Sequence, residues 1–231
     1  MNSAVVPRLY IVTDRAATGG RPLAAVVAAA LAGAGRGGLG GQALAVQLRE
    51  KDLGGRALRQ LAGELRAVTR AFGAALYVND RVDVALAVEA DGVHLAGTSL
   101  SPADVRALAP HLRVAISAHA PSDLNGPDAG TGRVDFAVFG PVRETPSKRI
   151  YGPPVGLGAL RAAAGQRVPL LAIGGLSAED VGAIADAGAC GLACIRALMS
   201  AADPEREAFL LGQALAAPLP PAAAVTQPHR T

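Results

Sequence analysis

The 231-residue sequence predicts an α/β fold, a single-domain (β/α)8 barrel of the TIM type. Short, nearly continuous apolar runs alternate with longer amphipathic stretches from residue 8 to 216. The alternation counts out to eight strand-then-helix units, and nearly continuous apolar strands belong to parallel sheets covered on both faces. Polar residues able to do chemistry stand just after each apolar run, where barrels of this kind collect their active sites. An open doubly wound sheet is the alternative. Residues 1–7 form a lead-in, 8–216 the barrel, and 217–231, a proline- and alanine-rich stretch, a disordered tail.

Leu9 to Val12 reads as the first strand and Leu23 to Ala34 as its helix. Gly35 to Gly41 (GRGGLGG) reads as a mobile surface connection. Leu44 to Leu48 is the second strand, and the helix near Gly54 to Phe72 carries Leu58, Leu61, Leu65 and Val68 at helical spacing. Ala75 to Val78, Val82 to Glu89 and Gly92 to Leu95 supply strand, helix and strand. Ser101-Pro102 opens the next helix with an N-cap and a proline at the first helical position. Val114 to Ile116 is strand five, followed by Ala120 to Gly132, so rich in Pro, Gly, Asp and Asn that its helix is short or absent. Phe136 to Phe139 is strand six, Val155 to Ala164 a helix and Val168 to Ile173 strand seven. Ser177 caps a helix through Ala187, Gly191 to Ile195 is strand eight, and Pro204 to Ala216 is the last helix.

Composition excludes several classes of function. The net charge of +3 is scattered rather than blocked, and aromatics are 3% with no Trp, so neither a basic footprint nor a stacking platform for nucleic acid is present. No run approaches the ~18 apolar residues of a membrane helix, and the N-terminus lacks the features of a signal peptide, which points to the cytoplasm. Cys190 and Cys194 in one extended run would be separated by about 13 Å, beyond the ~7 Å limit of a disulfide, so reduced core thiols are expected.

The strand ends carry the candidate site. Gln47-Leu48-Arg49-Glu50-Lys51 follows the second strand, and on an extended backbone Arg49 and Lys51 face the same side, a grip for phosphate or pyrophosphate. A solvated charge cluster is the other reading of that stretch. Thr13, Asp14 and Arg15 follow the first strand; Asn79, Asp80 and Arg81 follow the third. His94 closes the fourth as a structural residue, and Ser117 and His119 follow the fifth. Histidine there moves protons near neutral pH or anchors a loop. Thr145, Ser147 and Lys148 come after the sixth strand, Gly174-Gly175 after the seventh and Ile195-Arg196 after the eighth. A glycine pair ahead of a capped helix suits a backbone phosphate cradle. Asp80 is a candidate Mg²⁺ ligand if substrate phosphates complete the shell, or the partner of Arg49 or Arg81.

The segments VQLREKD, LYVNDRVDVALAVEADGVHL, FGPVRETPSK, LLAIGGLSAEDV and AGACGLACIRAL resemble the thiamine phosphate synthase/TenI superfamily, in family order from Leu9 to Pro204. The resemblance implies a (β/α)8 barrel and one of two activities. Synthases join a hydroxymethylpyrimidine diphosphate to a thiazole phosphate with Mg²⁺ and expel pyrophosphate. TenI-type proteins tautomerise a thiazole carboxylate phosphate without a metal. By motif, Gln47, Arg49, Lys51 and Asn79 would contact the pyrimidine and its diphosphate, Asp80 would bind Mg²⁺, and Ser117 would touch the pyrimidine. Thr145, Ser147 and Lys148 would hold the thiazole and pyrophosphate side, and Gly174, Gly175, Ile195 and Arg196 the thiazole phosphate.

The departures from the family pattern steer the expectation. Where synthases carry a second Asp as a Mg²⁺ ligand in the loop after strand four, this chain has Ser99, a weak substitute around a hard cation. Arg196 stands where the family more often has Ser, and the unit after strand five is shrunken. The expectation is therefore a TenI-like thiazole tautomerase needing no cofactor, with His119 transferring the proton and Lys51 and Lys148 completing the catalytic set. The alternative is thiamine phosphate synthase using Mg²⁺, and a further one is a non-catalytic thiazole- or thiamine-phosphate-binding barrel. The expected partners are small phosphorylated molecules, with no nucleic acid and no membrane; assembly with further copies is left open.

Overall fold

The computed structural model describes residues 6–125, 133–144 and 153–217. Eight parallel strands close on themselves in chain order. They are β1 (Leu9–Val12), β2 (Leu44–Leu48), β3 (Ala75–Asn79) and β4 (Gly92–Leu95), then β5 (Arg113–Ala118), β6 (Phe136–Phe139), β7 (Leu170–Ile173) and β8 (Gly191–Cys194). β1 pairs with β8 as well as β2, matching Leu9 to Leu192 on one side and to Leu44 on the other. The predicted single-domain barrel is what forms, and the open sheet is excluded.

The helices follow the amphipathic stretches: α1 (Leu23–Arg36), α2 (Gly55–Ala71), α3 (Val82–Ala87), α4 (Pro102–Leu108), α5 (Gly156–Ala164), α6 (Val181–Asp186), α7 (Arg196–Met199) and α8 (Pro204–Ala216). α4 starts as its sequence says: the Ser101 hydroxyl accepts from Asp104 N while Asp104 reaches back to Ser101 N. α7 was not read from the sequence, because four residues are too few to show periodicity; the Ile195 carbonyl accepts from Leu198 and Met199 and starts it. Between β5 and β6 the described residues hold only a 3-10 turn, Pro121–Leu124. The expected tail lies outside the described residues from 218 on.

The glycine-rich segment corrects its reading. It is part of a packing surface: Gly37 within it and Gly33 just ahead of it in α1 meet α8 backbone to backbone. A Cβ on Gly33 would overlap the Glu205 carbonyl oxygen, one on Gly37 would sit 2.5 Å from Phe209 O, and one on Gly212 2.6 Å from Ala34 O. Gly37 and Leu39 are buried, so first and last helices interlock through their glycines. At the same seam the Arg8 guanidinium donates to the carbonyl of Ala217 at 2.9 Å.

Two apolar layers follow from the strand alternation. One set of side chains packs outward against the helices. The other points inward and fills the barrel: Tyr10, Ala45, Ala75, Tyr77, Ala115, Phe136, Leu171 and Ala193, with Val12 and Val138 above. Tyr10, Tyr77 and Phe136 meet edge to face with ring centres 5.4–5.5 Å apart. Cys190 and Cys194 are buried free thiols, pushed up by burial to about 11 and about 12. Among the described residues no helix is long and apolar enough to cross a membrane.

Candidate active site

The inward-facing set continues past the apolar plug toward the C-terminal ends of the strands. Two residues beyond Ala45 on the same face comes Gln47; two beyond Tyr77, Asn79; two beyond Ala115, Ser117; and His94 is paired with Ala115 in register. The alternation of the strands thus turns one face from core into mouth.

These side chains form one hydrogen-bonded cluster. Gln47 Nε2 donates to Asn79 Oδ1 at 2.9 Å, and Asn79 Nδ2 donates to Asp80 Oδ2 at 2.7 Å. Asp80 Oδ1 accepts from Ala96 N at 3.2 Å and from the Ser99 hydroxyl. Asp80 adopts a left-handed backbone, φ 60°, which aspartate tolerates better than most residues, and its N–H is fastened to the His94 carbonyl at 3.0 Å. Arg81 turns aside to Asp83, so the pairing of Asp80 with Arg81 that the sequence allowed does not form. On β4, His94 is 3% exposed and spans Tyr10 Oη at 3.2 Å and Ser117 Oγ at 2.9 Å. Burial pushes its imidazole down to about 3; Asp80 opposes that shift and Arg49 adds to it, so the ring is neutral.

The loop after β2 departs from the extended geometry expected of it. The strand ends at Leu48, and the chain turns, Leu53 N donating to Glu50 O, so the two-residue alternation that paired Arg49 with Lys51 stops short. Arg49 is half-buried, with its charge near His94, while Lys51 is exposed. Between them lies a residue the sequence reading passed over. Glu50 is 7% exposed; its carboxylate accepts from the Thr13 hydroxyl at 2.7 Å and from Arg15 N at 3.0 Å. Thr13 Oγ1 accepts in turn from Arg49 N at 2.9 Å. Burial raises the Glu50 pKa against these hydrogen bonds and Arg15. The acid fastens the β1 and β2 loops together and sets the backbone that carries Arg49; its signal, one acid between two cations, looks in sequence like a solvated charge run.

On the opposite side, Gly174 and Gly175 have φ of 105° and 63°. Their loop packs against the one after β6: Val142 N donates to Ile173 O at 2.8 Å and Arg143 N to Gly174 O at 3.0 Å. A side chain on Gly174 would meet Pro141 at 2.6 Å. Asp180 accepts from Ser177 N at 2.9 Å and pairs with Arg143, holding the start of the following helical turn. Ile195 is half-buried against the inner cluster. Arg196 is exposed and lines a shallow groove of about 440 Å³ with Ser200, Arg206 and Leu210, on the α7–α8 side of the rim. His119 is exposed, and its Nδ1 meets the Gly140 carbonyl at 2.5 Å, the loop-anchoring contact weighed in the sequence. Thr145, Ser147 and Lys148 lie outside the described residues.

Among the described residues, the carboxylate that the cluster at the mouth offers a divalent cation is that of Asp80. Among the described residues no group of three His, Cys, Asp or Glu side chains could hold a metal. Mg²⁺ is commonly held by one or two carboxylates together with substrate phosphates. Asp80, at the mouth and already oriented by Asn79, Ala96 and Ser99, fits that mode if a diphosphate supplies the remaining oxygens.

Fold and mouth together define a (β/α)8-barrel protein with amide, carboxylate, imidazole and hydroxyl groups gathered at its C-terminal strand ends. The family model described as thiamine monophosphate synthase matches residues 9–198. A relative from Geobacter sulfurreducens, named putative thiamine-phosphate synthase, is 44% identical over 216 residues, 92% of this chain and 94% of its own. A thiamine-phosphate synthase of Roseiflexus castenholzii is 41% identical over 200 residues, 85% of this chain and 83% of its own. The solved structure of thiamine phosphate pyrophosphorylase from Pyrococcus furiosus superposes with a TM-score of 0.77 at 30% identity, covering 90% of this chain and 95% of that one. The chain belongs to the thiamine monophosphate synthase family.

Proposed function

We propose that this chain is a thiamine phosphate synthase, coupling a hydroxymethylpyrimidine diphosphate to a thiazole phosphate with release of pyrophosphate. This reverses the order of the two readings from sequence: relatives at 41–44% identity carry the synthase name. The observation that carries the proposal is the Asp80 carboxylate, held at the mouth by Asn79, Ala96 and Ser99 in one cluster with Gln47. An oriented carboxylate able to hold Mg²⁺ serves the ionisation of a diphosphate, whereas a proton transfer on a thiazole needs no metal.

The reaction breaks the bond between the pyrimidine methylene carbon and the diphosphate oxygen and forms one from that carbon to the thiazole nitrogen. Gln47, Asn79 and Ser117 orient the pyrimidine, and Arg49 and Lys51 bring cationic charge to the diphosphate. Mg²⁺, bound through Asp80 and diphosphate oxygens, would neutralise charge developing on the leaving group. Gly174, Gly175 and Ile195 border the thiazole phosphate, with Arg196 assisting from the rim. Thr145, Ser147 and Lys148 would hold the pyrophosphate in this reading.

Ser99 in place of a second acid keeps the tautomerase as the second reading, with His119 as the proton carrier. Incubation with both substrates, with and without Mg²⁺, separates them. Metal-dependent thiamine phosphate is the expected product. Absence of coupling, together with proton exchange on the thiazole carboxylate phosphate that His119→Ala abolishes, would establish the tautomerase instead.

A further inference from the structure

A single line of polar groups runs from the sealed interior of the barrel to its mouth. It starts at the Tyr10 hydroxyl, on a side chain with no solvent exposure, passes through His94 and ends at half-buried Ser117. The two links are 3.2 Å, Tyr10 Oη to Nδ1, and 2.9 Å, Nε2 to Ser117 Oγ. Three different strands, β1, β4 and β5, contribute one member each.

A neutral imidazole has one N–H and one lone pair, so the line has two possible directions. If Nδ1 carries the proton and donates to Tyr10, the phenol must place its own hydrogen elsewhere. Around it stand the edges and faces of Tyr77 and Phe136, and the apolar side chains of the inner layer. Among the described residues the Tyr10 hydroxyl has His94 as its hydrogen-bond partner, and a buried O–H without an acceptor is costly. In the other direction every proton inside this line is used. Tyr10 donates to Nδ1, Nε2–H donates to Ser117, and the hydrogen left over is that of the Ser117 hydroxyl, at the open end.

We infer that His94 is a positioning residue: Tyr10 fixes it as the Nε2–H tautomer, and it thereby fixes Ser117 as a hydrogen-bond donor to a ligand acceptor, such as a pyrimidine ring nitrogen, at the mouth. The identity of that ligand rests on the synthase reading; the direction of the line does not. A ligand edge presenting only N–H groups there would reach the second lone pair of Ser117 Oγ but leave the serine hydrogen without an acceptor, so the same line favours heteroaromatic rings that present a lone pair over rings of equal shape that do not.

Two measurements test it. ¹⁵N-histidine NMR of the whole protein, with the His94 signals assigned by their loss in His94→Gln, is expected to show a neutral ring protonated at Nε2. Tyr10→Phe is expected to convert it to a mixture of tautomers. A ring protonated at Nδ1 in the wild type overturns the inference, whether or not the protein couples the two substrates. In kinetics, His94→Leu is expected to raise KM for the pyrimidine diphosphate about tenfold or more while leaving KM for the thiazole phosphate within about twofold. His94→Gln, which keeps an N–H near Nε2, is expected to recover most of that loss. Adding His94→Leu to Ser117→Ala is expected to cost nothing further, because both act through one hydroxyl. Equal loss for both substrates, or full additivity with Ser117→Ala, overturns it. If His94→Leu does not fold, the tautomer measurements on wild type and Tyr10→Phe decide alone. If no coupling occurs, dissociation constants for the pyrimidine diphosphate replace KM.

Discussion

Asp80 and Ser99 show how much one side chain can set. The carboxylate has an amide on one oxygen and a hydroxyl with a backbone N–H on the other, an arrangement that orients it without neutralising it. Asp80→Asn keeps a side chain that tolerates the left-handed backbone, so the fold should persist while charge at the metal is lost. Coupling is expected to fall about a hundredfold or more, with an unchanged circular dichroism spectrum. Ser99→Asp does the reverse. A second carboxylate against the first should tighten Mg²⁺ binding about tenfold in a calorimetric titration with pyrophosphate present. Unchanged metal affinity would remove Asp80 from the metal side of the site. The sequence reading reached both residues because their types carry the chemistry. It did not reach Glu50 or the true part of His94, since burial gives these two their roles and nothing about an acid in a charge run, or a histidine closing a strand, announces which partners it will meet.

Among the elements, strands and long helices were legible almost to the residue, α8 (Pro204–Ala216) included, because apolar periodicity marks them directly. Glycine was misread where it mattered most. A run of glycines looks the same whether it loosens a loop or lets two helices touch, and only the partner α8, far along the chain, distinguishes the two. Gly212→Ala should therefore act as overpacking, its Cβ forced against Ala34 O at 2.6 Å. A loss of about 1–3 kcal/mol is expected, seen as a melting temperature lowered by roughly 2–4 °C for each kcal/mol. A neutral Gly212→Ala would mean that α1 and α8 slide apart freely. The β2 loop was misjudged for a related reason: alternation holds only while the strand lasts, and Leu48 ends it.

For the whole molecule, the buried imidazole couples stability to acidity. The folded state holds His94 down to about 3, below the ~6.5 of an ordinary histidine. Its contribution is complete above the ordinary value and is lost as the pH falls toward the folded one, since only the unfolded chain gains the proton in between. Unfolding free energies from urea titrations at pH 7, 5.5 and 4 should decline by up to about 1.4 kcal/mol per pH unit from this group. His94→Gln should flatten that decline; an equally steep one in the variant would assign the acid sensitivity elsewhere. A closed ring also has no privileged starting point. Arg8 reaches the carbonyl of Ala217 at 2.9 Å, so both extremities of the described polypeptide meet at one seam. With the residues before Arg8 and after Ala217 removed, a few small residues should splice them, and a new opening cut in the exposed Phe72–Gly73 turn ahead of β3 should yield a circularly permuted enzyme that still assembles all eight staves.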